Sequence, residues 1–424
     1  MLRRIFTFAM IFILGVSAMS AENKMQTKQG TILHCWCWSF KTIEDNIEKI
    51  AEAGFTAIQT SPANECFVGD NGGLEIMSQK NGKWYYHYQP TDWKIGNYQL
   101  GTRDDFIRMC AKAKKYGIVV IVDVVPNHTT THKDEISLDF IEAVGGMEKM
   151  YHKNSDHTIR SMANRREVTS AMLGGLPDVN TENPLFQEYF MNYINDLIDC
   201  GADGFRFDTA KHIALPDDPV DPASKENDFW PVFTGKKSVN GKSVKNADEL
   251  FIYGEVLQEG TSREDAYGKL FPVTASNYGK LLRSALKNEK LNAKGIVNFQ
   301  NAASPEVVTW VESHDTYANE GESAYLTNFM IRAGWAVIAS RKDGTPLFFN
   351  RPKGKEAAQF PGESKIGETG NDEYFSPEVS AVNKFRTAMQ GENEKFINGE
   401  NAGVLIIKRG EKGCVIINLN SKPS

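Results

Sequence analysis

Gly204-Phe205-Arg206-Phe207-Asp208-Thr209-Ala210-Lys211-His212 is a short apolar run that ends on a carboxylate and carries a cation two positions earlier. Packing alone gives no reason for that pair inside a strand-like segment. Three further apolar runs finish in the same way. Asp123 lies in Val122-Asp123-Val124-Val125-Pro126-Asn127-His128, Glu255 in Tyr253-Gly254-Glu255-Val256, and Asp315 in Glu312-Ser313-His314-Asp315-Thr316. Four acids at four strand ends point to a site built at one mouth of a barrel.

Outward from that stretch, short apolar runs alternate with amphipathic segments, the pattern of strand-then-helix units around a parallel sheet. Strands are predicted over 31–38, 56–60, 118–125, 204–208, 250–256, 272–275, 307–313 and 346–349, and helices over 42–53, 103–116, 183–200, 262–269, 279–288, 325–340 and 377–389. The run 118–125 has hardly a polar residue, as expected of a strand covered on both faces. Thr102 precedes Asp104 and Asp105 as a helix N-cap. The fold class is therefore α/β, a (β/α)8 TIM barrel.

Two long gaps interrupt the rhythm. The first, 61–101, carries Trp84-Tyr85-Tyr86-His87-Tyr88-Gln89-Pro90, and the second, 129–182, is large enough for a small inserted domain after strand three. The barrel is assigned to 30–128 and 183–391. Residues 392–424 alternate like hairpin strands and are read as a partial C-terminal β domain.

The 424 residues accommodate a barrel of about 250 residues plus insertions. A net charge of -6 and the lack of a long basic run argue against a nucleic-acid partner. Residues 1–21 start Met1-Leu2-Arg3-Arg4, continue with an apolar stretch and end in small residues, which describes a secretory signal. Secreted or periplasmic location follows, with no membrane segment left once the signal is removed. Cys35, Cys37, Cys66, Cys110, Cys200 and Cys414 contain no C-x-x-C pair with matching Cys or His partners, and most are read as small buried residues.

Carboxylates gathered at one mouth repel each other and lose hydration, so at least one is expected to hold its proton above the usual range. Breaking a glycosidic bond needs that combination: one carboxylic acid for the leaving oxygen and one carboxylate on the other face of the sugar. In order and spacing the four runs resemble the conserved regions of the α-amylase family, glycoside hydrolase family 13. Leu176-Pro177-Asp178-Val179-Asn180 is similar to that family's further region near the end of the inserted domain, and the likeness runs from about Ile32 to about Gly391. It is nearest to secreted bacterial α-amylases with a short inserted domain.

The resemblance implies a retaining hydrolase of internal α-1,4 bonds in starch, glycogen or related α-glucans, working as a monomer. An α-glucan transferase or maltooligosaccharide-forming relative on the same barrel is the alternative, and a non-catalytic glucan-binding protein a further one. Asp208 would be the nucleophile, oriented by Arg206, Glu255 the general acid and then base, and Asp315 the stabiliser of the distorted sugar. His128 and His314 would hydrogen-bond that sugar and Tyr88 would stack on it, with Gln89 nearby. Trp84 and Tyr85 would line donor-side subsites, and Lys211 and His212 the acceptor side. A structural Ca2+ would be held by the side chains of Asn127 and Asp178 and the carbonyls of Thr169 and His212. Chloride is not expected, because Ser313 stands where halide-binding members have an Asn.

Blander readings exist for each group. Asp123 and Asp208 could be partners in a buried ion pair, a lone His is usually structural, and the 84–88 aromatics could simply pack under a loop. For Tyr86 packing is the preferred reading, and Asp123 is assigned to holding Arg206.

Overall fold

The computed structural model describes residues 24, 26–69, 72–77, 83–222, 224–259, 261–300, 306–360, 362 and 364–420. Segment 1–21, read as an export signal, lies outside them. In chain order the strands are β1 Ile32–Cys35, β2 Ala57–Thr60, β3 Asn64–Cys66, β4 Pro90–Asn97, β5 Gly101–Thr102, β6 Val119–Val124, β7 Gly204–Phe207, β8 Phe251–Gly254, β9 Val273–Thr274, β10 Val307–Thr309, β11 Thr345–Phe349, β12 Glu394–Asn398, β13 Val404–Arg409 and β14 Gly413–Asn418. Eight of them close into a barrel in the order β1-β11-β10-β9-β8-β7-β6-β2. Every neighbouring pair around it is parallel.

The helices follow from apolar spacing and good caps. Phe40–Glu52 buries Phe40, Ile43, Ile47 and Ile50 on one face, and Ser39 accepts from Thr42 N–H at its start. Arg103–Lys115 begins with the expected Thr102 cap, closed into a reciprocal box by Asp105. Pro184–Asp199 starts with Asn183 as cap and a proline in the first turn. Each fully buried Ile or Phe on such a face contributes about 1.5–3 kcal/mol.

Side-chain alternation then places the site. Ile32, Ala57, Val119, Ile121, Phe251, Tyr253, Val308 and Leu347 form one cluster filling the barrel. Register sets Asp123 beside Arg206 and Arg206 beside Tyr253, so all three share the inward parity. One further step of two residues brings Asp208 and Glu255 to the C-terminal mouth on the same face. The ladder carries on beneath them, with Asp208 N–H donating to Val124 O at 2.9 Å and Glu255 N–H to Phe207 O at 2.9 Å. Close approach explains Gly254, where an added Cβ would lie 2.4 Å from the Phe271 ring.

Three features depart from expectation. β10 stops at Thr309 where the sequence predicts a strand to 313, and Ser313 and Thr316 exchange backbone-to-side-chain hydrogen bonds that close a turn around Asp315. Segment 61–101 holds the antiparallel sheet β3-β4-β5, and the insertion continues from it: Thr130 N–H donates to Pro90 O and Ser137 N–H to Thr91 O, both at 3.0 Å. The C-terminal sheet has a third strand, β12, hidden in the sequence because most of its residues are exposed and lack a clean apolar alternation. All six cysteines are free, five buried and Cys414 exposed. Among the described residues no helix is long and apolar enough to cross a membrane.

Candidate active site

Arg206 organises the mouth of the barrel. Its Nη1 donates to both oxygens of Asp123, at 2.8 and 2.7 Å, and to Asp208 Oδ1 at 2.8 Å. Its Nη2 lies 2.9 Å from Glu255 Oε1. One guanidinium thus joins three strand ends, β6, β7 and β8, and only a planar fork can do so. Asp123 is fully buried and also accepts from the Tyr88 hydroxyl at 2.8 Å, so it holds Arg206 and faces no open space. Glu255 Oε2 accepts the backbone N–H of Thr209 at 2.9 Å. That donor is aimed by a left-handed turn at Thr209, with φ of 48°, directly after Asp208.

Above this layer lies a cleft of about 460 Å³. Asp208, Glu255 and Asp315 open into it, with Trp84, Tyr85, Tyr88, His128, Lys211, His212 and His314 in its walls. Ten of the residues singled out from the sequence therefore meet at one place, and Arg206 sits beneath them. Gln89 is elsewhere: its Oε1 accepts from Thr130 Oγ1 at 3.2 Å. One face of Tyr88 is taken by His314, stacked at 5.1 Å and 9°. His128 Nε2 meets Tyr88 O at 3.0 Å, while its Nδ1 is buried without a partner among the described residues. Tyr86 packs edge-on against Phe67, as a packing residue should.

Electrostatically the carboxyl groups act as one cluster. Burial works to raise Glu255, but Arg206 above all, with the Thr209 N–H, outweighs it and holds it below the usual glutamate range. Asp208 is pushed up to about 8 by burial and by Glu255 and Asp123, against the pull of Arg206. Asp315 is raised well above the carboxylate range by enclosure and by Glu255. The directions belong to the cluster as a whole: burial and mutual repulsion favour holding a proton among Asp208, Glu255 and Asp315, while Arg206 favours charge on the carboxylates it touches. Burial keeps the imidazoles neutral, His128 at about 4, His212 at about 3 and His314 well below its usual value, so they serve as hydrogen-bonding groups.

A consequence for stability follows from Asp208. Its carboxyl titrates near 4 when unfolded and near 8 when folded, so between those values the folded state binds the extra proton. Stability from this group is complete below about pH 4 and is lost as the pH rises through about 8. Melting temperature should fall from pH 5 to pH 8, and Asp208→Asn should flatten the slope; an unchanged slope in that variant refutes the assignment.

Residues 38–328 match the family described as alpha amylase, catalytic domain. The chain belongs to the alpha-amylase family. It is 45% identical to an alpha-amylase of Butyrivibrio fibrisolvens over 95% of this chain and 44% of that protein. An alpha-amylase of Clostridium acetobutylicum is 37% identical over 95% of this chain and 50% of its own length. The chain thus spans about half the length of these curated relatives. Among solved structures, a mutant of alpha-amylase I from Eisenia fetida in complex with maltohexaose superposes with a TM-score of 0.72 at 20% identity, covering 92% of this chain and 84% of that one. An Anoxybacillus alpha-amylase gives 0.68 at 21% identity, covering 93% and 87%. At such identities these structures speak for the fold.

This alpha-amylase-family cleft also holds residues that sequence reading passed over. Glu259, on the loop after β8, pairs with Lys211 in the cleft wall, Asn319 ends the π-helical turn Asp315–Asn319, and Glu320 caps it. No periodic signal marks such loop residues. Arg351 forms a buried two-pronged pair with Glu312, at 2.7 and 2.6 Å.

The proposed calcium ligands lie behind the cleft wall. Asn127 Nδ2 is 3.2 Å from Asp178 Oδ2, and both residues are buried. His212 Nδ1 meets Val168 O at 2.8 Å, which brings the backbone of Thr169 to the same loop. Among the described residues no group of three or more His, Cys, Asp or Glu is arranged around a metal. The set here has a single acid and otherwise amide and carbonyl oxygens, the donor chemistry of a hard cation. Asp178 is pushed up to about 6 by burial, even with His152 opposing it. Asp178 has the His152 ring at Oδ1 and the Asn127 amide at Oδ2, and with that amide and the two carbonyls it makes an oxygen-rich set whose chemistry fits a calcium ion.

Proposed function

We propose that the chain is the catalytic part of an exported, monomeric α-glucan hydrolase that cleaves internal α-1,4 bonds with retention of configuration. The observation that carries this reading is Arg206 joining Asp208 and Glu255 under a cleft whose third acid is Asp315 and whose walls are aromatic. Neutral rings and flat faces suit an uncharged sugar chain. Relatives named alpha-amylase support the activity, and maltohexaose bound to the Eisenia fetida mutant supports the substrate class.

In the first half-reaction an Asp208 oxygen attacks the anomeric carbon while the bond to the leaving oxygen breaks and Glu255 protonates that oxygen. In the second, Glu255 takes a proton from water, the hydroxide oxygen attacks the same carbon, and Asp208 is released. The first half requires Asp208 ionised and Glu255 protonated at the outset; the second starts with Asp208 esterified and Glu255 ionised, and its end restores the first state. The three carboxyls share their protons as one cluster, and the reactive state is the one with the proton on Glu255. Asp315 and the neutral His128 and His314 bind ring hydroxyls. Proton NMR of early products from a maltooligosaccharide should show the α-anomer first; an initial β-anomer overturns retention, and longer chains among the products would favour transfer.

Calcium bound by Asn127, Asp178 and the carbonyls of Thr169 and His212 would supply positive charge that ties the insertion to the barrel. Chelation should lower the melting temperature and calcium restore it; an unchanged melting curve after verified metal removal refutes the site.

A further inference from the structure

We propose that His152, itself anchored by Glu182, is the positioning residue for the calcium ligand Asp178; the inference rests on the calcium reading above.

The three residues come from two segments of the insertion that pair along their backbones. Tyr151 bridges Val179, Asn180 N–H donates to Met150 O at 2.8 Å, and His152 N–H donates to Asp178 O at 3.2 Å. This pairing drives the His152 ring between two carboxylates. Nδ1 lies 2.6 Å from Asp178 Oδ1, and Nε2 contacts Glu182 Oε2. All three side chains are at most 2% exposed, so water competes for none of these bonds. Glu182 is fixed in turn, its Oε1 accepting from Thr181 Oγ1 at 3.0 Å. Asp178 is held at its backbone too, where Ser155 Oγ accepts its N–H at 2.7 Å.

The consequence is an asymmetric carboxylate. Oδ1 of Asp178 is taken by the His152 ring, and Oδ2 is the atom turned toward Asn127, accepting from its Nδ2 at 3.2 Å. The relay from Glu182 through His152 therefore stops the carboxylate from rotating and presents one defined oxygen beside the second side-chain donor. A simple clamp between two segments would be served equally well by a pair that avoids Asp178. Fixing a ligand oxygen through an outer hydrogen bond is a recurring way to raise metal affinity, and loss of such a partner typically costs about 10–100-fold.

The test measures calcium affinity of the chelated full-length chain by calorimetric titration with calcium chloride, and melting temperature with and without calcium. Three proteins are compared: wild type, His152→Gln, which keeps bulk but cannot bridge two carboxylates, and Glu182→Gln, which leaves the ring in place with an uncharged, weaker anchor. The expected result is a dissociation constant raised about 10–100-fold in both variants, with a larger loss of melting temperature at limiting calcium than at saturation. A variant that unfolds cooperatively yet binds calcium as tightly as wild type overturns the inference. So does an equal loss of melting temperature with and without calcium, the mark of a purely structural clamp. If His152→Gln fails to fold, Glu182→Gln decides alone. A wild type that binds no calcium removes the metal reading itself, and so this inference with it, by a different arm of the experiment.

Discussion

Glu255→Gln should lower the release of reducing ends from soluble starch by about a thousandfold, since a positioned acid-base group contributes about 10²–10⁴, while the melting temperature shifts by only a few degrees. The substitution keeps the shape of the side chain, and Gln can still offer an oxygen to Arg206 Nη2 or the Thr209 N–H. It removes the one property the reaction needs at that atom, a proton that can be given to the leaving oxygen and taken back from water. The charge change is small for the fold because Arg206 retains Asp123 and Asp208. Equal sugar release by the two proteins would show that Glu255 has another role. Release by neither would favour a glucan-binding protein on this barrel.

Arg206→Ala should be the most damaging change to the fold, at about 3–5 kcal/mol, the range for breaking a buried ion pair by deleting one partner. Asp123, Asp208 and Glu255 would be left around a void with no fork to satisfy them. The loss should depend on pH in a defined direction. At pH 5 the orphaned acids can take up protons, whereas at pH 8 they must stay charged or pull protons from dilute solution, so the destabilisation grows with pH. Urea unfolding at the two pH values measures this; a loss below about 1 kcal/mol, or one that shrinks as pH rises, contradicts the central role of Arg206. Arg206→Lys should fall between, because an ammonium cannot hold three strand ends at once.

Much of the barrel was legible because its signals are local. The apolar run that became β6 has a buried residue at every position, and the Thr102 cap formed where a threonine followed by acids predicts it. Strand-end acids could be found one at a time, and their order along the chain carried the family resemblance. Signals failed where neighbours far apart in sequence decide the outcome. The sheet β3-β4-β5 is irregular, with shifts in register at Glu65, and its backbone contact with the insertion joins segments more than thirty residues apart. His152 gave no sign in a polar loop, since its two partners lie 26 and 30 residues away. Gln89 sits one residue from Tyr88, yet turns to Thr130, because adjacent residues leave a strand or turn in different directions.

What the amino-acid sequence determined by itself is the parallel α/β rhythm, the strand ends that carry Asp123, Asp208 and Glu255, and the neighbourhood of Asp315. Those properties follow from periodicity and caps within a few residues of each other. Tertiary structure alone decided which carboxylate shares which arm of Arg206, which carboxyls titrate together, and how Asp178 is held. Barrel closure brings residues 123, 206 and 255 within hydrogen-bond reach across more than a hundred positions of chain, and only at that distance do charge and desolvation set the protonation of each.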